Sequence, residues 1–285
     1  MPPRNADQSD AYAIPDLLPD PLPTTPWGLF REWYDQARTQ RVQPNTNAMT
    51  LATIDPDGTP SARIVLCKDM NLGDDAGYLV FHTNYHGRKG RALAAHPRCA
   101  LVFHWDDLDK QVRIEGHAAR SPEAESDAYF RTRALESRIG AWASQQSEPL
   151  DSREALMGRV AEVIQRFEVD LFSDREQVIP RPPHWGGFRV WARAVEVWVG
   201  GPGRVHDRAR WERSLAPVPR GGGGASTPAR GRARGCSRDW GGRREGHRGI
   251  EPTSHQVGDK EPVRIRNRKW RRCPPPRFPL DALMA

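Results

Sequence analysis

A chain of 285 residues carrying 43 Lys/Arg against 36 Asp/Glu has a formal charge of +7, a balance that by itself would point to a nucleic-acid partner. The surplus is local: residues 216–285 hold 16 Lys/Arg against 6 Asp/Glu, which leaves 27 against 30 for residues 1–215, so the apolar-patterned part is close to neutral. Four scattered cysteines (Cys67, Cys99, Cys236, Cys273) argue against a disulfide framework and lack metal-ligand spacing.

Residues 1–24 are rich in Pro and Asp, lack an apolar period and read as a flexible arm. They contain no secretory h-region, and no run in the chain is apolar enough to span a bilayer, so the expected location is the cytoplasm. Thr25 and Pro26 then suit the N-cap and first position of a helix whose apolar face is Leu29, Phe30, Trp33, Tyr34 and Ala37. Strands are expected over Ala48–Ile54 and Ala62–Cys67, joined by the turn Asp55-Pro56-Asp57-Gly58, and again over Tyr78–Thr83. A short helix over Gly87–Ala95 is stopped by Pro97.

Cys99–Trp105 and Gln111–Arg120 form a second hairpin around Asp106-Asp107. Ser121-Pro122-Glu123 starts a helix that is expected to carry Tyr129 and Arg133 on one face. A loop from Gly140 to Ser147, a helix over Ser152–Phe167 and strands over Phe188–Val199 and Arg204–Arg213 complete the pattern. Strands joined mainly by short turns predict a mainly β, antiparallel small barrel with flanking helices rather than βαβ units. After Leu215 the sequence turns to Gly/Arg/Pro-rich runs with no core-forming period, so residues 25–215 are the expected domain and 216–285 a disordered tail. An RNA-binding arm is the sharper alternative for that tail; with only Trp240 and Trp270 as stacking aromatics, it ranks well below disorder.

Three places concentrate chemistry. Arg63 and Lys68 flank a strand and face opposite sides of it. Gly87-Arg88-Lys89 puts two cations at a helix start, where free N–H groups and the helix dipole favour an anion. Tyr129, Arg133 and Ser137 offer a phenol, a guanidinium and a hydroxyl to a phosphate monoester. Alone, Arg63 and Lys68 are at least as well solvated strand ends and the Tyr129 set is more often helix surface, whereas the dipole penalty favours an anion site at Gly87-Arg88-Lys89. A strand ending in Trp198 and the turn Gly200–Arg204 adds a flat face and another cation.

In collinear order the segments R-I-V-L-C-K, F-H-T-N-x-x-G-R-K, Gln111-Val112, Y-F-x-x-R, I-G-A-W-A-S-x-Q-S, W-G-G-F-R-V and R-V-H-D-R resemble the pyridoxine/pyridoxamine 5′-phosphate oxidases, over Trp27 to Leu215, about two thirds of the chain. The resemblance implies an FMN-binding split β-barrel acting as a homodimer. It implies oxidation of pyridoxamine or pyridoxine 5′-phosphate to pyridoxal 5′-phosphate, with O2 as acceptor and hydrogen peroxide as product. Carried over by motif, FMN contacts fall on Arg63, Ile64, Val65, Leu66, Cys67, Lys68, His82, Thr83, Arg88, Lys89, Gln111, Gln146, Ser147, Trp198 and Arg208. Substrate contacts fall on Lys68, Tyr129, Arg133, Ser137, Arg204, Val205 and His206, with Arg204 and His206 nearest the chemistry.

The chain departs from that pattern at His82, Gly87 and Cys67, where the family commonly has Tyr, Ser and Leu. It departs most at its end, where Leu215-Ala216-Pro217 runs into Gly/Arg-rich sequence instead of a closing Trp-containing strand. A shifted reading frame or a replaced C-terminus is the expected origin of that change, and losing the strand would bare an edge of the barrel. The competing readings are a sibling oxidase acting on another ring, such as those of phenazine biosynthesis, an impaired flavin-binding relic, and a nucleic-acid binder acting through the tail. Metal and membrane partners are not expected.

Overall fold

The computed structural model describes residues 18–73, 77–173, 177–217, 265–267 and 271–272. The chain divides into two compact units, residues 1–218 with 262–285 and residues 219–261; the second lies outside the described residues. So do most of the expected tail, Cys236 and Cys273.

In chain order the elements are α1 (Trp27–Gln40), β1 (Ala48–Ile54), β2 (Pro60–Leu66), β3 (Asp69–Asn71), β4 (Tyr78–Asn84), α2 (Arg88–Ala95), β5 (Arg98–Trp105), β6 (Lys110–Arg120), α3 (Glu123–Arg131), α4 (Leu135–Ala143), α5 (Arg153–Arg166), β7 (Trp185–Val199), β8 (Asp207–Glu212), β9 (Leu215–Pro217), β10 (Ile265–Asn267) and β11 (Arg271–Arg272). The main sheet runs β11-β8-β7-β6-β5-β1-β2, with every pair antiparallel. The first half of β7 also pairs with β4, which pairs with β3. The Lys68 amide donates to the Val80 carbonyl at 2.8 Å, drawing the end of β2 onto β4 and curling the sheet into a split barrel. The expected fold class is therefore the observed one.

Alternation builds the core. β1 buries Met49, Leu51 and Thr53 and turns Ala48, Thr50 and Ala52 outward; β6 buries Val112 and Ile114. The face of α1 bearing Trp27, Phe30, Trp33 and Ala37 packs on this interior, with the Phe30 ring edge-on to Phe103 at 5.2 Å. Complete burial of a ring such as Phe30 contributes about 1.5–3 kcal/mol. Midway along β6 the register shifts between Glu115 and Gly116. A Cβ on Gly116 would sit 2.2 Å from the Trp191 carbonyl, so this bulge requires glycine.

Several expectations are corrected. Helix α1 starts at Trp27 with Pro26 in the cap position, and no side chain of Thr25 caps it. Residues 18–24, assigned to the arm, include a buried Leu18 whose N–H donates to Asp207 and a Pro23 carbonyl that accepts from Trp211 Nε1 at 3.0 Å. The helix expected to carry Tyr129 and Arg133 ends at Arg131, where the Thr132 hydroxyl donates back to the Tyr129 carbonyl. Ser137 and the first part of the Gly140–Ser147 loop belong to the separate helix α4. Arg204 lies in a single 3-10 turn before β8, not in the strand. The edge expected to be bare is paired over Trp211 and Glu212 by β11, a segment of the tail itself.

Candidate active site

Around the start of α2 three groups meet directly. Lys89 Nζ donates to Thr83 Oγ1 (3.2 Å) and Gln146 Oε1 (2.8 Å), and Thr83 Oγ1 donates to the same amide oxygen at 3.0 Å. Burial, then the nearby Arg63, holds the Lys89 ammonium below its usual range. Arg63 donates to Thr53, Ser61 and the Leu51 carbonyl, and burial also lowers its pKa. Arg88 Nε and Nη2 both contact Asp55 Oδ2, at 2.7 and 2.6 Å. Helix α2 has neither a side-chain N-cap nor an acid in its first turn. Three cations thus crowd a positive helix end, an arrangement a bound anion would relieve.

The glycine at position 87 has a steric reason. A Cβ there would lie 2.7 Å from Gln146 Oε1, so the Gln146 tip occupies the space a side chain at position 87 would need. The donor set Arg63, Arg88, Lys89 and Thr83, with an uncapped helix N-terminus, fits the phosphate of FMN.

Beside it lies a stacked aromatic group. The His82 ring is 4.0 Å from Tyr129 (19°) and 5.2 Å from Trp185 (15°), and the Arg133 guanidinium sits over Trp185 at 4.6 Å. Trp185 is itself fixed through its carbonyl, which accepts from Arg181 at 2.6 Å. Arg133 Nη1 is buried without a hydrogen-bond partner among the described residues, and burial lowers the Arg133 pKa. Burial, then the charges of Arg133 and Lys68, holds His82 down to about 4, so its ring is neutral near neutral pH. Lys68, His82, Tyr129 and Arg133 therefore share one environment, and the unsatisfied guanidinium N–H within it suits a phosphate ester.

A third group sits at the other end of β7. Gln111, Trp198 and Arg208 are direct cross-strand partners on β6, β7 and β8, so they form one row on one face. Buried Glu196 pairs with Arg113 at 3.2 Å and lies 3.7 Å from Arg208. His206 packs on Trp198 (4.7 Å), and its Nδ1 accepts from the Gly201 amide at 3.2 Å. That bond leaves the proton of a neutral imidazole on Nε2. Arg204 adopts a left-handed φ of 65° and is exposed, as is Val205. A left-handed non-glycine residue costs energy that a functional site can justify.

Two expected contacts are not drawn in. Ser137 is exposed on the first turn of α4, and Ser147 is exposed at a φ of 71°. Cys67 spends its thiol, N–H and carbonyl on Asp69, Asn47 and Asn47 again, and burial pushes its pKa up to about 12. Ile64, by contrast, projects outward at 64% exposure. Sequence reasoning assigned no role to Trp185, Asp55 or Glu196; Trp185 at least stood inside a quoted motif.

The first two groups and the third lie toward opposite ends of β7. His82 pairs with Gly187 at one end of β7, and Gln111 and Arg208 pair with Trp198 near the other. Eleven residues of strand, roughly 36 Å at full extension, separate the two ends. Among the described residues no helix is long and apolar enough to cross a membrane, and no cluster of His, Cys, Asp or Glu is arranged to hold a metal.

Comparison with known proteins gives two family matches. The family described as pyridoxamine 5′-phosphate oxidase matches residues 36–167, and that described as pyridoxine 5′-phosphate oxidase C-terminal dimerisation region matches residues 185–224. Proteins named pyridoxine/pyridoxamine 5′-phosphate oxidase include one from Cupriavidus necator, 47% identical over 71% of this chain and 90% of its own length. Another, from Azorhizobium caulinodans, is 51% identical over 66% and 83%. Among solved structures, PhzG from Burkholderia lata 383, in complex with tetrahydrophenazine-1-carboxylic acid, superposes with a TM-score of 0.61 at 30% identity, over 70% of this chain and 94% of that one.

Proposed function

The chain belongs to the pyridoxamine 5′-phosphate oxidase family, and on that footing we propose that it is an FMN-dependent oxidase of pyridoxamine or pyridoxine 5′-phosphate, working as a homodimer whose two sites are each built from both protomers. The observation that carries the reading is the pair of phosphate-suited groups side by side, one around Lys89 and one around Arg133, with a third group toward the opposite end of β7. The matched dimerisation region at residues 185–224 holds Trp198, Arg204, His206 and Arg208 of that third group, while Gln111 lies in the other matched region.

FMN, when bound, would supply the redox chemistry: acceptance of a hydride from the substrate's C4′ carbon and return of two electrons to O2 as hydrogen peroxide. For the amine substrate, water completes the conversion to the aldehyde and ammonia leaves. What remains for the protein is placement. Arg63, Arg88, Lys89 and Thr83 hold the cofactor phosphate, and Lys68, Tyr129 and Arg133 hold the substrate phosphate, which fixes the distance over which the hydride moves. Gln111, Trp198 and Arg208 of the second protomer close over the ring system. Arg204 and Val205 project from that protomer to cover the substrate ring. With its proton on Nε2, His206 donates a hydrogen bond to the ring's polar edge rather than taking a proton from it.

The purified full-length protein tests this. It should carry, or take up, FMN and show flavin absorption, and should form peroxide with pyridoxamine 5′-phosphate much faster than with pyridoxamine. The second reading, a ring substrate without phosphate, is favoured by the likeness to PhzG and disfavoured by the buried Arg133. Equal rates on the two amines would select it, and a protein that binds no FMN would exclude both.

A further inference from the structure

The turn between β1 and β2 does more than reverse the chain. Its backbone is locked: the Asp55 amide donates to Thr59 O (2.9 Å), the Gly58 amide donates to Asp55 O (2.9 Å), and Gly58 takes the positive φ of 89° that such a turn requires. The Asp55 Cα is therefore fixed, and its side chain is directed at the start of α2. There the buried carboxylate is gripped through Oδ2 by one edge of Arg88, from Nε and Nη2 at 2.7 and 2.6 Å. That leaves the Nη1 side of the guanidinium unspent on the pair. The second carboxylate oxygen, Oδ1, is buried and has no hydrogen-bond partner among the described residues.

An ion pair serving stability alone would satisfy both oxygens or stay solvated, since a buried unpaired oxygen is costly. The cost is understandable if the carboxylate has another task. Arg88 sits at the first position of a helix whose dipole disfavours cations, next to Arg63 and Lys89, and its side chain is half exposed, so the Asp55 contact is what sets its direction.

We propose that Asp55 is a positioning residue for the cofactor phosphate: anchored in its turn, it grips one edge of Arg88 and presents the rest of that guanidinium to the anion held by Arg63 and Lys89. The inference rests on the FMN reading above. It makes a prediction opposite to simple electrostatics, because deleting a carboxylate beside three cations should, by charge alone, tighten binding of a dianion.

Quenching of flavin fluorescence by the full-length apoprotein separates the two. Asp55→Asn should weaken FMN about tenfold, the scale of one charge-assisted contact, while leaving riboflavin, which lacks the phosphate, unchanged. Arg88→Ala should show the same phosphate-specific loss, and the double variant should be no worse than Arg88→Ala alone. FMN binding by Asp55→Asn that is unchanged or tighter, an equal loss for riboflavin, or additive losses in the double variant would each overturn the proposal. Should Asp55→Asn fail to fold, wild-type FMN affinity in Arg88→Ala would overturn it equally. A wild-type protein that binds no FMN would instead refute the cofactor reading itself.

Discussion

Replacing His82 by Phe should make the protein less sensitive to acid. The His82 ring is stacked on Tyr129 and Trp185 with Nδ1 buried and unpartnered among the described residues, and burial, then Arg133 and Lys68, holds its pKa down to about 4. An unfolded chain protonates the same ring near 6.5. Between those values the unfolded state binds a proton that the folded state refuses, so stability present above pH 6.5 drains away as the pH falls, and the loss ends near pH 4. The interval sets a ceiling of about 3.4 kcal/mol at 1.36 kcal/mol per pH unit. The ring is only partly buried, and solvent screening brings the expected figure to about 2 kcal/mol. Urea unfolding of both proteins at pH 7.5 and 4.5, at equal protein concentration, measures it. Other groups titrate in this range, His117 among them with its pKa lowered by burial, but they are common to both proteins and cancel in the difference. Wild type should lose about 2 kcal/mol more than His82→Phe. Parallel losses would refute the assignment of a neutral, desolvated His82.

Arg133→Ala should raise KM for the phosphorylated substrate about 10- to 100-fold, the worth of contacts to a charged group, without altering FMN affinity. Oxygen uptake and flavin titration check the two halves. Trp185→Ala should lower stability by about 3–5 kcal/mol and Trp185→Phe by much less, because the indole supports His82, Phe130 and Arg133 together; thermal unfolding reports both. Lys89→Ala and Trp198→Ala should each be nearly inactive alone. Refolded together in equal amounts, they should regain about one quarter of wild-type activity, since half the random two-fold dimers are mixed and each then holds one intact site. No recovery on mixing would mean that the sites are not shared.

The strands were legible because their boundaries are written in local chemistry. Asp55-Pro56-Asp57-Gly58 announces a turn, and Ala48–Ile54 alternates as a half-buried strand must. Helix α4 was missed, although Leu135, Ile139, Trp142 and Ala143 carry a helical period, because Gly140 and the following Ser and Gln residues read as loop. Tyr129 and Arg133 were rightly grouped for a wrong reason: no shared helix joins them, and stacking on Trp185 does. The roles of Trp185, Asp55 and Glu196 depend on partners at least thirty residues away or across two strands, contacts that no local pattern encodes.

The span of β7 has a consequence for inheritance of damage. In the proposed dimer one end of this strand supports one catalytic centre and the other end the second. A lesion confined to either end would spare one centre in a hybrid assembly, as in the mixing experiment. A lesion that strikes β7 at its middle, such as any side chain introduced at Gly116 of the neighbouring strand β6 against the Trp191 carbonyl, would tilt both ends at once. Such a subunit would poison every assembly it joined, so that a minority of faulty chains could silence a disproportionate share of the enzyme.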